Sequence, residues 1–216
     1  MHMKRDFAMP DFSFGAVCRH YYSDEQYSAI CAATIGIAGA GGLGSNCAMT
    51  LVRSGFEKFI IADFDVVELS NLNRQAYLPE HIGLPKVDCL KDQLLKINLG
   101  CSIDAKQITI NETNALSAFI SCDVVVEAFD RPECKTMIVN IFIDTGKLVV
   151  SASGLGGFGN SDRIVTRKVR NNFYLIGDGA SGVNGNVRPL APCVSIAAAK
   201  QADVVLEWIL ARAKKN

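Results

Sequence analysis

Short apolar runs alternate with stretches of helical spacing through most of the chain. Thr34–Ala38 is an apolar run that ends in a glycine-rich turn, and apolar residues at helical spacing follow from about Leu43 to Ser54. Gly55 is placed as the left-handed residue that closes this helix. Lys58–Ala62 reads as the next strand. Pro85 suits the first turn of a helix, with Val87, Leu90, Leu94 and Ile97 along one face. Ile103–Ile110 alternates as a strand does, and Thr113 or Asn114 can cap a short helix to Ile120. Asp123–Ala128 is a strand of the fully buried type, and Pro132 opens another helix. Leu148–Ala152 is a further strand. Arg163–Arg170 alternates apolar and basic residues, which predicts a half-exposed antiparallel strand with Phe173–Ile176 as its partner. Gly177–Ala191 has no periodicity, and loops of that length are usually functional or mobile. Pro192 opens a closing helix with Val194, Ala197, Ala198, Gln201, Val205 and Ile209 near one side. Upstream, a helix begins within Tyr21–Tyr27 and runs to Ala33. The alternation predicts an α/β fold: a Rossmann-like, mostly parallel sheet with helices on both faces and a C-terminal antiparallel extension. Residues 1–33 form an N-terminal extension and 34–216 the main domain.

Composition narrows this reading. The chain has 216 residues, 49% of them apolar, enough for one substantial core. Its formal net charge is zero, so bulk attraction to nucleic acid or an anionic membrane finds no support. No apolar run approaches the ~20 residues that span a bilayer, and the first residues carry no apolar signal run. The expectation is a cytoplasmic protein. The eight cysteines are scattered without a C-x-x-C pair, which speaks against a structural zinc site and for small buried hydrophobes in a reducing compartment.

The chemistry concentrates behind the first two strands. Gly39, Gly41 and Gly44 satisfy G-x-G-x-x-G between a strand and a helix. In that pattern the first glycine permits the tight turn, the second lets a phosphate approach the backbone, and the third lets the helix pack closely. The unpaired N–H groups of the helix start favour an anion. An acid about 20 residues on is expected for ribose hydroxyls, and Asp63 follows the next strand. The polar stretch from Asp63 through Asp65, Asn71 and Arg74 to Gln75 lies at a strand's carboxyl end, the edge where open α/β sheets bind ligands. Lys86 opposes the dipole of its own helix, a conflict that an anionic ligand removes; otherwise it reads as a solvated surface lysine, which costs little in water. Asp130 also follows a strand, so it reads either as a ligand or metal carboxylate or as the N-cap of the next helix.

Five ordered blocks carry a family resemblance: Gly39-Ala40-Gly41-Gly42-Leu43-Gly44-Ser45, Asp63-Phe64-Asp65-Val66-Val67, Ser70-Asn71-Leu72-Asn73-Arg74-Gln75, Gly83-Leu84-Pro85-Lys86 and Glu127-Ala128-Phe129-Asp130. Together they resemble the ThiF/MoeB family, relatives of the ubiquitin-activating enzymes, over roughly residues 34–210. The chain looks most like the short, zinc-free ThiF-type group that adenylates the sulfur-carrier protein ThiS in thiamine (thiazole) biosynthesis.

The resemblance implies an ATP- and magnesium-dependent adenylyltransferase acting on the C-terminal Gly-Gly carboxylate of a ubiquitin-like, ThiS-like sulfur carrier. It implies nucleotide contacts from Gly39, Gly41, Gly42, Gly44 and Asp65, with Asp63 on the ribose. It places Arg74 and Lys86 on the phosphates, Asp130 on magnesium, and Asn71 and Gln75 in the polar wall. Two cations suit a triphosphate better than a dinucleotide, which speaks against a dehydrogenase. The resemblance further implies a homodimer in which an N-terminal arginine reaches the partner's ATP, with Arg19 the nearest candidate, and a sulfur donor protein. Some relatives carry a sulfur-transfer cysteine in the crossover loop. Gly177–Ala191 has none, and Cys193 just after it reads either as a nucleophile or as an inert first-turn cysteine. The alternatives are a molybdopterin sulfur carrier or a tRNA base carboxylate as acceptor, or a non-catalytic nucleotide-binding partner protein.

Overall fold

The computed structural model describes residues 13–181 and 187–213. In chain order the elements are α1 (Phe14–Arg19), α2 (Asp24–Ala32), β1 (Thr34–Ala38), α3 (Gly42–Arg53), β2 (Lys58–Ala62), two short 3₁₀ turns, α4 (Lys86–Ile97), β3 (Ser102–Lys106), α5 (Ala115–Phe119), β4 (Val124–Glu127), α6 (Pro132–Phe142), β5 (Leu148–Ala152), a third 3₁₀ turn, β6 (Val165–Arg170), β7 (Phe173–Gly177) and α7 (Ala191–Ala213). The sheet order is β3-β2-β1-β4-β5-β7-β6. All neighbours pair in parallel except β6 with β7. This is the expected Rossmann-like fold with its antiparallel extension. The strand order turns back between β1 and β4, and that switch point opens a crevice at the carboxyl edge.

Two apolar cores sandwich the sheet. One joins α3, α4 and α7 to one face, and Ile30 and Ala33 from the end of α2 belong to it. The other joins α5 and α6 to the opposite face through Phe119, Ile138 and Phe142. β4 and β5 are buried along their whole length, as strands covered on both faces must be.

Several sequence expectations need correction. Tyr21 and Tyr22 lie outside the helix, because Ser23 caps α2 with a reciprocal Gln26 bond. Pro85 stands at the N-cap of α4 rather than in its first turn. β3 stops at Lys106, the last residue paired with β2, and Ile110 turns into the second core instead of extending the strand. Asn114 holds the N-cap position of α5 without a side-chain cap bond; its amide instead donates to the Thr109 carbonyl. Arg163 belongs to a 3₁₀ turn, and β6 is exposed along its length because no layer covers the sheet edge. Within the predicted loop Gly177–Ala191, residues 182–186 lie outside the described residues.

Candidate functional site

The glycine loop crosses the switch point between β1 and α3. Gly39 has φ +100°, and a Cβ there would come 2.9 Å from the Ala128 carbonyl oxygen. A Cβ on Gly44 would collide with the Gly39 carbonyl oxygen, so the helix packs against the loop only without a side chain. Around Gly41 the space is open: the nearest atom to a Cβ is Gln75 Nε2 at 4.0 Å. Gly41 is also the N-cap of α3 and supplies no side-chain acceptor, so the first N–H groups of α3 face outward unpaired by a cap. Gly42 has a different task, since a Cβ there would press within 2.9 Å of Val194 on α7.

The loop is fastened at Ala40. Its N–H donates to Asp63 Oδ2 at 2.6 Å, and its carbonyl accepts from the Tyr77 hydroxyl at 2.6 Å. Asp63 Oδ1 accepts from Asp65 N–H at 2.8 Å. Burial pushes the Asp63 carboxyl upward, against the pull of the Asp65 and Ala40 amides and Lys86. Each carboxylate oxygen carries two acceptor positions, so ribose hydroxyls still have a place on Asp63.

The segment 65–86 divides into spent and free groups. Lys86 is 6% exposed, and its ammonium donates to Asp65 Oδ2 at 2.7 Å. The Asn71 amide oxygen accepts Glu68 N–H at 3.1 Å and so closes its own 3₁₀ turn, a task that the expected polar wall did not include. The Arg74 guanidinium donates to the Ser70 carbonyl at 3.0 Å and to Asn73 Oδ1 at 2.8 Å. Among the described residues no carboxylate balances its charge. Gln75 Oε1, beside the glycine loop, is buried without a hydrogen-bond partner among the described residues. An orphaned buried acceptor is costly, and a ligand donor would remove that cost. Asn46 staples the assembly by donating to the Gly42 carbonyl at 2.6 Å and to the Arg74 carbonyl at 2.9 Å. Asn46 and Tyr77 were missed from the sequence; for Asn46 the available signal was a polar residue next to Ser45 in an otherwise apolar helix turn right after the glycine loop.

Asp130 is exposed in the turn after β4, across the switch point from the glycine loop. The N-cap of α6 is Arg131, without a side-chain bond, so Asp130 is not the cap. Its carboxylate has no protein partner among the described residues. No group of three or more His, Cys, Asp or Glu side chains gathers into a metal cage among them. A hard, unengaged carboxylate oxygen nevertheless fits magnesium, which is usually held by one or two carboxylates plus substrate phosphates.

Two other predicted residues are engaged within the chain. The Arg19 guanidinium sits 4.6 Å over the Tyr27 ring. Cys193 is 1% exposed, with Arg163 Nη2 donating to its sulfur at 3.6 Å. Arg163 also pairs with Asp178 and donates to the Gly156 carbonyl at 2.6 Å, while the Ser181 hydroxyl donates to Asp178 at 2.5 Å. This polar knot ties the strand ends around the start of α7.

A mostly parallel sheet with a glycine loop at its switch point defines an α/β protein of the Rossmann-like class. The chain belongs to the ThiF family: that family's model matches residues 17–216. Among curated proteins it is 40% identical over 124 residues to the adenylyltransferase and sulfurtransferase UBA4 of Eremothecium gossypii, covering 56% of this chain and 27% of that protein. It is 30% identical over 141 residues to the ubiquitin-like modifier-activating enzyme 5 of Caenorhabditis elegans, covering 60% of this chain and 33% of the relative. Among solved structures, the E. coli tRNA N6-threonylcarbamoyladenosine dehydratase TcdA in complex with ATP superposes with TM-score 0.85 at 17% identity, covering 93% of this chain and 95% of that one. E. coli MccB with ATP superposes with TM-score 0.67 at 23% identity, covering 87% and 59%. No helix among the described residues is long and apolar enough to cross a membrane.

Proposed function

We propose that the chain is an ATP-dependent adenylyltransferase that activates the C-terminal Gly-Gly carboxylate of a ThiS-like, ubiquitin-like sulfur carrier in thiazole biosynthesis. One observation carries this reading: Arg74 stands beside the glycine loop with no carboxylate among the described residues to balance it, next to an unpartnered acceptor on Gln75. The names of the relatives, adenylyltransferases and activators of ubiquitin-like modifiers, support it.

In the proposed reaction a carrier carboxylate oxygen attacks the α-phosphorus of ATP. The bond to the bridging oxygen breaks, and pyrophosphate leaves with its electron pair. No proton transfer is needed, so the work is positioning and charge neutralisation. The open backbone at Gly41 and the start of α3 receive phosphate, and Asp63 and Gln75 accept from the nucleoside. Arg74 and Lys86 neutralise the phosphates, Lys86 exchanging its Asp65 partner for the substrate. Asp130 is the residue that would hold magnesium, which when bound supplies charge neutralisation on the departing pyrophosphate. Residues 34–216 make up the adenylyltransferase domain in this proposal, with 1–33 as an extension. The proposal includes a homodimer, a sulfur donor protein that consumes the acyl-adenylate, and a cytoplasmic setting supported by eight free cysteines.

A second reading has one observation in its favour. The exposed edge strand β6 carries Arg167, Lys168 and Arg170, of which Arg170 pairs with Asp144 at 3.1 Å; a basic edge favours a tRNA as acceptor. ATP–pyrophosphate exchange separates the readings. The expected result is exchange that depends on a ThiS-like carrier and disappears when its terminal Gly-Gly is removed. Exchange driven by tRNA or by a molybdopterin sulfur carrier alone would replace the acceptor. Binding of ATP without exchange under any of these conditions would leave a non-catalytic partner protein.

A further inference from the structure

Glu127 is the last residue of β4 and is fully buried, with its side chain 0% exposed. Its carboxylate accepts four hydrogen bonds from three donors. Oε1 accepts the Phe129 N–H at 2.7 Å and Lys135 Nζ of α6 at 3.2 Å. Oε2 accepts the Ser151 hydroxyl of β5 at 2.5 Å and Lys135 Nζ at 3.3 Å. Behind it, Gln201 of α7 donates to the Glu127 carbonyl at 3.1 Å and to the Val150 carbonyl at 3.3 Å. A buried ion pair seldom stabilises a fold more than an apolar pair of the same volume. What this one does is local. It fixes the turn 128–131 by holding the amide of Phe129 within it and the side chain of Lys135 beyond it. That turn lies against the glycine loop, where the Ala128 N–H donates to the Ala38 carbonyl at 2.9 Å and the Ala128 carbonyl leaves no room for a side chain at Gly39. Asp130 is carried on the same turn.

We propose that Glu127, locked by Lys135 and Ser151, is a positioning residue for Asp130: it holds the β4–α6 turn in the one arrangement that offers the Asp130 carboxylate to a divalent cation beside the glycine loop. The inference rests on the proposed metal role of Asp130. Glu127 touches no substrate. In Glu127→Gln one carboxylate oxygen becomes an NH₂ group that faces the Lys135 ammonium, donor against donor, and the clamp on the turn is weakened.

The test is calorimetric and needs no turnover. ATP binding to the full chain is titrated across a range of Mg²⁺ concentrations and also in EDTA. Glu127→Gln is expected to raise the Mg²⁺ concentration for half-maximal binding by about 10–100-fold, the usual effect of losing a group that orients a metal ligand. Its ATP affinity in EDTA is expected to stay within about twofold of wild type, because the glycine loop and Asp63 keep their own fastenings. An unchanged Mg²⁺ requirement in folded Glu127→Gln overturns the proposal, as does an equal loss of affinity with and without Mg²⁺. Should Glu127→Gln fail to fold, Ser151→Ala removes a single hydroxyl. It is expected to shift the Mg²⁺ requirement in the same direction, and no shift there overturns the proposal. Asp130→Asn is measured alongside. A wild-type Mg²⁺ requirement in Asp130→Asn sinks the metal reading and this inference with it. A raised requirement in Asp130→Asn beside a normal one in Glu127→Gln sinks the positioning role alone.

Discussion

The Asp63 carboxylate accepts the Ala40 backbone N–H at 2.6 Å, so the residue expected on the ribose also pins the phosphate loop. Asp63 is only 9% exposed, and Ala40 is fully buried. Asp63→Ala is therefore expected to cost stability as well as nucleotide affinity. Leaving the Ala40 and Asp65 amides without their acceptor should cost about 1–3 kcal/mol. Thermal melts without nucleotide, read beside ATP titrations, check this. An unshifted melt would reduce Asp63 to a ligand contact.

The glycines separate in the same way. Gly44→Ala drives a methyl into the Gly39 carbonyl and should destabilise the apo-protein by about 1–3 kcal/mol or more. Gly41→Ala places its methyl in open space and should melt near wild type. It should nevertheless weaken ATP by at least about tenfold, ~1.4 kcal/mol, because the methyl stands where phosphate approaches the backbone. Equal ATP affinity in Gly41→Ala would place the phosphates elsewhere.

Since Arg131 occupies the N-cap of α6, Asp130→Asn and Asp130→Ala should both melt near wild type. Carrier-dependent pyrophosphate exchange should fall by about 10²–10³-fold, the cost of one electrostatic contact to the transition state. Near-normal exchange at physiological magnesium would remove Asp130 from the reaction.

Cys193→Ser is expected to leave that exchange intact, because the thiol is 1% exposed against Arg163 and acyl-adenylate formation uses no thiol. Loss of exchange in a folded Ser variant would contradict this. Loss confined to sulfur delivery would instead give Cys193 a transfer role.

Asp178 provides a pH signature. Burial pushes its carboxyl upward, but the Ser181 hydroxyl and amide, the Ala180 amide and Arg163 outweigh this and hold it well below the usual carboxylate range. Its folded-state value is depressed, so its contribution is complete above the ordinary value of about 3.9 and is lost as pH falls toward the depressed value. The melting-temperature gap between wild type and Asp178→Asn should be widest near neutrality and narrow in acid. A gap that stays constant with pH would mean the Asp178 charge contributes nothing.

Much of the fold was legible because its signals are local. β1, β2 and β5 were bounded to the residue, since each is a short apolar run with turn chemistry at its end. The glycine loop was legible for the same reason: spacing and backbone freedom belong to a few consecutive residues. β3 was overextended because alternation continues past Lys106, while pairing requires β2, which has already ended. Arg163 looked like the first residue of a strand, yet its guanidinium joins Asp178, Gly156 and Cys193 from separate segments.

By itself, the sequence determined the strands of the parallel sheet, the longer helices between them and the kinds of polar residue at the carboxyl edge, but not α1 or the 3₁₀ turns. Only the tertiary structure decided which polar groups are already spent. Asn71 closes its own turn, Asp65 holds Lys86, and Glu127 disappears into a network with Lys135 and Ser151. Among the described residues Arg74 meets no carboxylate, and the Gln75 Oε1 acceptor and the Asp130 carboxylate have no protein partner. The reason is physical: helices, turns and glycine loops follow from neighbouring residues, whereas a buried polar group takes whichever partner the folded sheet brings within about 3 Å.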